Sequence, residues 1–120
     1  MRLLRSLAAV LLAANLHASE PLSKADLIRE GAVFAVSLAD WGQTLDNSDN
    51  PGLYREQNPL LGPHPTRGEV NRYFVASFAL HLIILRLLPE RFRPAFQYGS
   101  IGWELAITAN NARVGVSVRF

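Results

Sequence analysis

The sequence predicts an all-α protein: a small bundle of three transmembrane helices that follows an N-terminal signal-like segment and ends in a short extended tail. Three observations predict this class. Of the 120 residues, 49% are apolar and 18% are charged, which excludes a disordered chain. Residues 73–88 are apolar at almost every position, as expected of a helix that crosses a bilayer. Capping residues and prolines mark where helices start and stop.

Composition also excludes several classes of function. The chain has no cysteine, so disulfides, thiolate metal sites and cysteine nucleophiles are ruled out. The formal net charge is only +2, and no basic stripe runs along the sequence, which argues against binding to nucleic acid. A length of 120 residues suffices for one domain.

The N-terminus has the pattern of a targeting segment. Arg2 and Arg5 precede the apolar run 7–16, and the small residues Ala18 and Ser19 follow it. This order predicts a signal peptide over residues 1–18, cleaved after Ala18. An uncleaved signal anchor is the alternative. Either form directs the chain to a membrane, most simply the inner membrane of a bacterium.

The first helix is predicted over residues 24–46, within a single helical domain that spans 19–120. Ser23 is placed to cap it, with Asp26 three residues later. Its length of about 34 Å is enough to cross a bilayer core of about 30 Å. Asp40 lies inside it and lowers its hydropathy.

The second helix, predicted over 67–88, is the clearest membrane span. Thr66 and Glu69 form a capping box at its start, and Pro89 follows Leu88 at its end.

The third helix is predicted over residues 94–112 because Pro94 suits a first helical turn. After Asn111, apolar residues alternate with other residues as far as Phe120, which predicts an extended tail. The same stretch allows a second interpretation, in which residues 102–120 form a β-hairpin.

A loop rich in proline and glycine, residues 47–65, joins the first two helices. It contains Glu56, Asn58 and Pro59 in an E-x-N-P motif, which follows Asp40 and Thr44 in a D-x-x-x-T motif near the end of the first helix.

Together these two motifs, followed by a second span, resemble those of small uncharacterised bacterial membrane proteins of the DUF5658 type. The resemblance covers about residues 36–90. It implies a polytopic membrane protein and carries no established activity.

Polar residues inside the helices are the candidates for a functional site. An ionised carboxylate within the bilayer costs at least about 2.5–3.5 kcal/mol, so Asp40 and Glu104 are expected to face the bundle interior. Helical spacing predicts that the other polar side chains face inward with them. The buried polar candidates are Asp40, Thr44, Arg72, Ser77, His81, Glu104 and Asn111.

Two pairings are expected among these residues. Asp40 is predicted to lie near Arg72, and His81 near Glu104, because the short connection at Pro89 makes the last two helices antiparallel neighbours. Each pair could be a structural contact between helices. Each could instead belong to a proton relay, a metal site or an acid–base pair.

No motif decides between these possibilities. The chain lacks an H-E-x-x-H pair and a G-x-S-x-G elbow, so the sequence predicts no metal site, no cofactor and no specific catalytic residue.

Two functions stay open. One is a non-enzymatic binding or accessory subunit, whose partners are the bilayer and another membrane protein or a second copy of the chain. The other is an intramembrane enzyme or transporter component that uses Asp40, His81 and Glu104.

The distribution of cationic residues predicts an orientation. Seven arginines fall on one side of the predicted spans and five cationic residues on the other. The positive-inside rule then places the loop 47–65 and the C-terminus in the cytoplasm.

Overall fold

The computed structural model describes residues 20–120. The predicted signal segment 1–18 lies outside the described residues. The described residues form three α-helices and no strand, which confirms the all-α part of the predicted fold class. Its elements are helix α1 (Lys24–Asp49), helix α2 (Arg67–Leu87), a 3-10 turn (Glu90–Phe92) and helix α3 (Arg93–Arg113).

Helix α1 begins where its capping residues predict. The Ser23 backbone N–H donates to Asp26 Oδ2 at 2.9 Å, and the Asp26 N–H donates to Ser23 Oγ at 3.0 Å. The helix continues three residues past the predicted end because its last turn is stabilised locally. Asn50 donates its side-chain amide to the Asp46 carbonyl at 2.9 Å, and Pro51 follows.

Helix α2 has the same kind of start and a proline-determined end. Thr66 and Glu69 form a reciprocal capping box, with distances of 2.9 and 3.2 Å. Leu88 adopts an extended conformation with ψ 139°, because the residue before a proline avoids the helical region.

Helix α3 carries Pro94 in its first turn and continues to Arg113. The chain then turns at Gly115, whose φ of 95° favours glycine. The predicted extended tail is therefore present. The alternative hairpin over residues 102–120 is wrong, since helical hydrogen bonding continues to Arg113.

The three helices run down, up and down. Helix α1 lies antiparallel to α2, with Phe34 against Phe78 at a ring separation of 4.7 Å. Helix α3 runs parallel to α1 and packs mainly on it, whereas α2 and α3 contact each other little. Gln43 of α1 fixes the lower end of this pair, since it donates to the Thr108 carbonyl at 3.0 Å and accepts from Asn111 at 3.1 Å.

One described helix, α2, is long and apolar enough to cross a membrane by length and composition. Its most apolar window has a mean hydropathy of 1.3 and is only 17% buried inside the protein. Helices α1 and α3 do not meet the same criterion.

The C-terminal tail lies across the second half of α1. The Arg119 N–H donates to the Gly42 carbonyl at 3.1 Å, and the Ser117 N–H donates to Asp46 Oδ2 at 2.9 Å. The ring of Phe120 meets Trp41 edge-on at 6.4 Å. These contacts need a helix surface without a side chain at position 42.

A methyl group at position 42 should therefore displace the tail. In Gly42→Ala the new Cβ would lie 2.5 Å from Val118 Cγ1 and 3.1 Å from the Arg119 nitrogen. We expect a loss of about 1–3 kcal/mol in unfolding free energy and faster carboxypeptidase removal of the tail. Gly31→Ala is the matched control because its Cβ would meet nothing within 4 Å. Equal digestion rates in the two variants would contradict the docked tail.

Candidate functional site

The interior of the bundle is more polar than apolar. Among the described residues, the buried apolar side chains are Val33, Leu45, Val70, Phe74, Leu85 and Val116. The buried polar or charged side chains are Asp26, Glu30, Asp40, Gln43, Thr44, Asp46, Asn47, Arg93 and Gln97. Most of this second set lies on α1. Groups buried in this way must find partners within the protein.

Arg93 holds the upper end of the bundle together. Its side chain is fully buried and donates from Nη1 to Asp26 Oδ2 at 3.0 Å. It also donates to the carbonyls of Glu20 at 2.7 Å and Leu88 at 3.1 Å. One guanidinium thus joins the segment before α1, the end of α2 and the start of α3.

A second polar link follows one turn further along α1 and α3. Gln97 donates from Nε2 to the Asp26 carbonyl and to Glu30 Oε2, both at 2.9 Å, and accepts from Arg29 Nε at 2.7 Å. Arg29 in turn donates to Asp26 Oδ1 at 2.6 Å. Both polar atoms of the buried Gln97 side-chain amide, Oε1 and Nε2, therefore hydrogen-bond to α1.

His81 of α2 lies between the other two helices. Its Nδ1 is 2.7 Å from Glu30 Oε1 and its Nε2 is 2.9 Å from Ser100 Oγ. Ser100 also donates its hydroxyl group to the Phe96 carbonyl at 2.8 Å, so this serine links His81 to the backbone of α3.

His81 forms no direct hydrogen bond to Glu104, the residue predicted to lie near it. His81 is bonded to Glu30 instead, because α1, and not α3, supplies the carboxylate at its depth. Ser100, one helical turn before Glu104, contacts the other ring nitrogen. His81 and Glu104 still line one small cavity of about 150 Å³, together with Ser77.

A larger cavity of about 570 Å³ lies between α1, the loop and α3. It brings together residues that the sequence analysis selected for two separate reasons, as buried polar candidates and as a loop motif. These are Asp40, Thr44, Glu56, Asn58, Pro59, Glu104 and Asn111.

The loop motif closes one side of this cavity. Glu56 accepts from the Asn58 backbone N–H at 3.0 Å and from Asn47 Nδ2 at 3.2 Å. Asn58 Oδ1 accepts from the Leu60 N–H at 3.0 Å, and Pro59 follows in the turn. Glu56 therefore ties the loop to the end of α1.

The electrostatic centre of the cavity is a pair of acidic residues. The carboxyl group of Asp40 faces that of Glu104, and Glu56 lies close enough to act on Asp40 through its charge. Glu104 Oε2 and Asn47 Oδ1 are buried and accept no hydrogen bond among the described residues. Thr44 donates to the Asp40 backbone carbonyl at 2.8 Å, which leaves the carboxyl group itself facing Glu104.

The expected ion pair between Asp40 and Arg72 is also wrong. Arg72 is exposed on α2 and forms no ion pair with Asp40. Helix α2 instead turns Tyr73 and Phe74 toward the larger cavity, since Phe74 packs on Trp41 at a ring separation of 5.6 Å. That packing rotates Arg72 outward.

Sequence reasoning did not select the partners that complete the polar interior: Glu30, Asn47, Arg93 and Gln97. A usable pattern was present, because Asp26 and Glu30 are four residues apart on α1, as Arg93 and Gln97 are on α3. Two helices that run parallel bring such pairs into register. The parallel packing itself, however, is not visible in the sequence.

Within the described residues, no group of three or more histidine or acidic side chains is arranged to hold a metal ion. Comparisons of the chain with known protein families, with characterised proteins and with solved structures find no match. The resemblance to the DUF5658 type therefore stays a prediction.

Proposed function

We propose that the protein is a three-span integral membrane protein of the bacterial inner membrane, with a non-enzymatic binding or accessory role. The observation that carries the proposal is the reversed distribution of side chains. Among the described residues, polar and charged side chains outnumber apolar ones in the interior, while many large apolar groups lie outside. This arrangement costs free energy in water and suits a bilayer.

Each helix contributes to the apolar exterior. Ile28 on α1, Ile83 on α2 and Trp103 on α3 are all more than half exposed. Other large apolar residues with exposed side chains on the three helices are Leu27, Phe34, Val75, Leu80, Tyr98 and Leu105.

The low average hydropathy of α1 and α3 is compatible with helices that cross a membrane. Hydropathy averages all faces of a helix, whereas the polar residues of α1 and α3 are turned toward each other, as in the contact of Gln97 with Glu30. A polar residue that faces the bundle does not meet lipid. The free-energy cost of placing the Asp40 and Glu104 side chains within a bilayer is reduced for the same reason.

Membrane insertion has a direct test. After extraction of membranes with alkaline carbonate, we expect the protein to stay in the pellet, because three apolar outer faces contact lipid. Its release into the supernatant as a stable oligomer would contradict the proposal and would assign the apolar surface to contacts between copies.

Orientation can be tested with single cysteines because the chain contains none of its own. Leu60, at the loop tip, is 82% exposed, and Glu90 lies exposed at the opposite end of the bundle. We expect an impermeant maleimide to label Glu90→Cys in intact spheroplasts and Leu60→Cys only after permeabilisation. The reverse pattern would invert the topology, and labelling of both in intact cells would contradict a membrane-spanning bundle.

The cavity supports a binding role over a catalytic one. It has the volume of a small-molecule site, but its acidic pair lies beside no nucleophile held by a base. The loop that closes it can also contact a partner, since Leu53 and Leu60 are strongly exposed.

One observation favours the alternative, a transporter component that moves protons. Glu104 lines both cavities, so it connects the Asp40 side of the bundle to His81. Proteoliposomes with an entrapped pH dye would show proton flux under a membrane potential if this alternative holds. That flux should be lost in Glu104→Gln at a normal protein level.

A further inference from the structure

We propose that the larger cavity binds a primary ammonium group carried on a short apolar body, between Asp40 and Glu104. The inference deepens the proposed binding role, on which it rests, by naming the class of ligand. It is carried by the unpaired acceptors of the cavity, by its charge and by its walls.

The first argument is that two buried acceptors at the cavity have no donor. Glu104 Oε2 and Asn47 Oδ1 are both buried without a partner among the described residues, and Asn47 as a residue is only 8% exposed. A buried acceptor left in this state costs about 1–3 kcal/mol, and more than about 90% of such groups in native proteins are satisfied. Both residues line the same cavity. An ammonium group brings three N–H donors to it.

The second argument is charge. Asp40 and Glu104 face each other without an intervening cation from the described chain, and Arg55, the basic residue of the lining, lies exposed. The carboxylate of Glu56 is already occupied by Asn47. Two facing carboxyl groups repel when both are ionised, and either a proton or a cation relieves the repulsion.

The third argument concerns the body of the ligand. A volume of about 570 Å³ far exceeds that of a metal ion, and the acidic groups do not form a metal cluster. One part of the wall is aromatic and aliphatic, with Tyr73, Trp103 and Ile107. Aromatic faces attract an organic cation, and aliphatic walls accept a short alkyl chain.

Two sources could supply this chemistry: a soluble primary amine, or the ethanolamine headgroup of a phospholipid. Both carry a primary ammonium group next to a short carbon chain. The proposed site recognises the ammonium group and its short carbon chain, and the vesicle experiment distinguishes the soluble amine from the lipid headgroup.

The test uses the full chain in detergent micelles, titrated with hexylammonium and followed by calorimetry and by tryptophan fluorescence, since Trp103 borders the site. We expect saturable binding of hexylammonium and none of hexanol, which has the same chain without the charge. Asp40→Asn and Glu104→Gln should each weaken binding at least about tenfold, or about 1.4 kcal/mol. The matched control is Glu90→Gln, an exposed acid outside the cavity, which should bind like the wild type.

Several results would overturn the inference. The first two are a lack of saturable hexylammonium binding and binding of hexanol with the same affinity. The others are an unchanged affinity in folded Asp40→Asn or Glu104→Gln, and displacement of hexylammonium by an equal concentration of Mg²⁺. If Glu104→Gln does not fold, Asp40→Asn supplies the same comparison at the facing carboxyl group.

The source of the ammonium group is read from vesicles of phosphatidylcholine with and without phosphatidylethanolamine. Weaker hexylammonium binding in the vesicles that contain phosphatidylethanolamine assigns the site to a lipid headgroup, and equal binding in both vesicles assigns it to a soluble amine. Membrane placement is judged separately by carbonate extraction. A protein that binds amine but is released by carbonate would overturn the membrane proposal alone.

Discussion

Replacing Arg93 with methionine should lower the free energy of unfolding more than the substitution of any exposed residue does. Methionine keeps much of the side-chain length but leaves Asp26, which is 1% exposed, without its fully buried charged partner. It also leaves the Leu85 and Leu88 carbonyls without a donor. Removing one member of a buried ion pair costs about 3–5 kcal/mol. The free energy of unfolding is measured by titration with sodium dodecyl sulfate in mixed micelles.

Arg91→Met is the matched control, because Arg91 is exposed and lies over the neighbouring Phe92 ring at 4.7 Å. We expect a change within about 0.5 kcal/mol. Arg93→Lys should fall between the two, since an ammonium keeps the charge but does not reproduce the fork of the guanidinium. Equal stability of Arg93→Met and Arg91→Met would show that Arg93 does not join the three segments.

Loss of the His81 ring should have the next largest effect. In His81→Phe the ring can still stack on Phe96, as the imidazole does at 4.4 Å, but Glu30 loses its 2.7 Å contact. The buried carboxylate then keeps only the amide of Gln97. We expect a loss of about 3 kcal/mol in unfolding free energy, measured by the same titration.

Ser77→Ala provides the comparison on the same helix face, one turn away. Ser77 lines the small cavity beside His81, and its loss should cost less than about 1 kcal/mol. Adding Glu30→Leu to His81→Phe should cost less than the two single changes together, by about 0.5–3 kcal/mol. Strict additivity of the two changes would contradict the His81–Glu30 pair.

Helix existence and helix starts could be predicted from the sequence because their causes are local. Ser23 with Asp26, and Thr66 with Glu69, satisfy backbone N–H groups only a few residues away. Pro89 likewise acts on the residue before it. The apolar run 73–88 identified the one helix that also meets the criterion for a membrane span.

The candidate site could be predicted in part. Asp40 and Glu104 were selected because a carboxylate needs a polar environment, and the loop motif was selected by its turn-forming residues. Their meeting in one cavity depends on the loop folding back through the Glu56–Asn47 contact, which joins residues that the sequence analysis treated separately.

The sequence by itself determined the three helices, the end of the last helix before a non-helical tail, and part of the set of polar side chains that line the cavity. Only the tertiary structure decided the partners: His81 with Glu30, Asp40 opposite Glu104, and Arg93 with Asp26. Capping and apolar content act within a few residues along the chain. Partner choice depends on how each helix is rotated about its axis, where one residue turns a side chain by about 100°, and that rotation is set by packing such as Phe74 on Trp41.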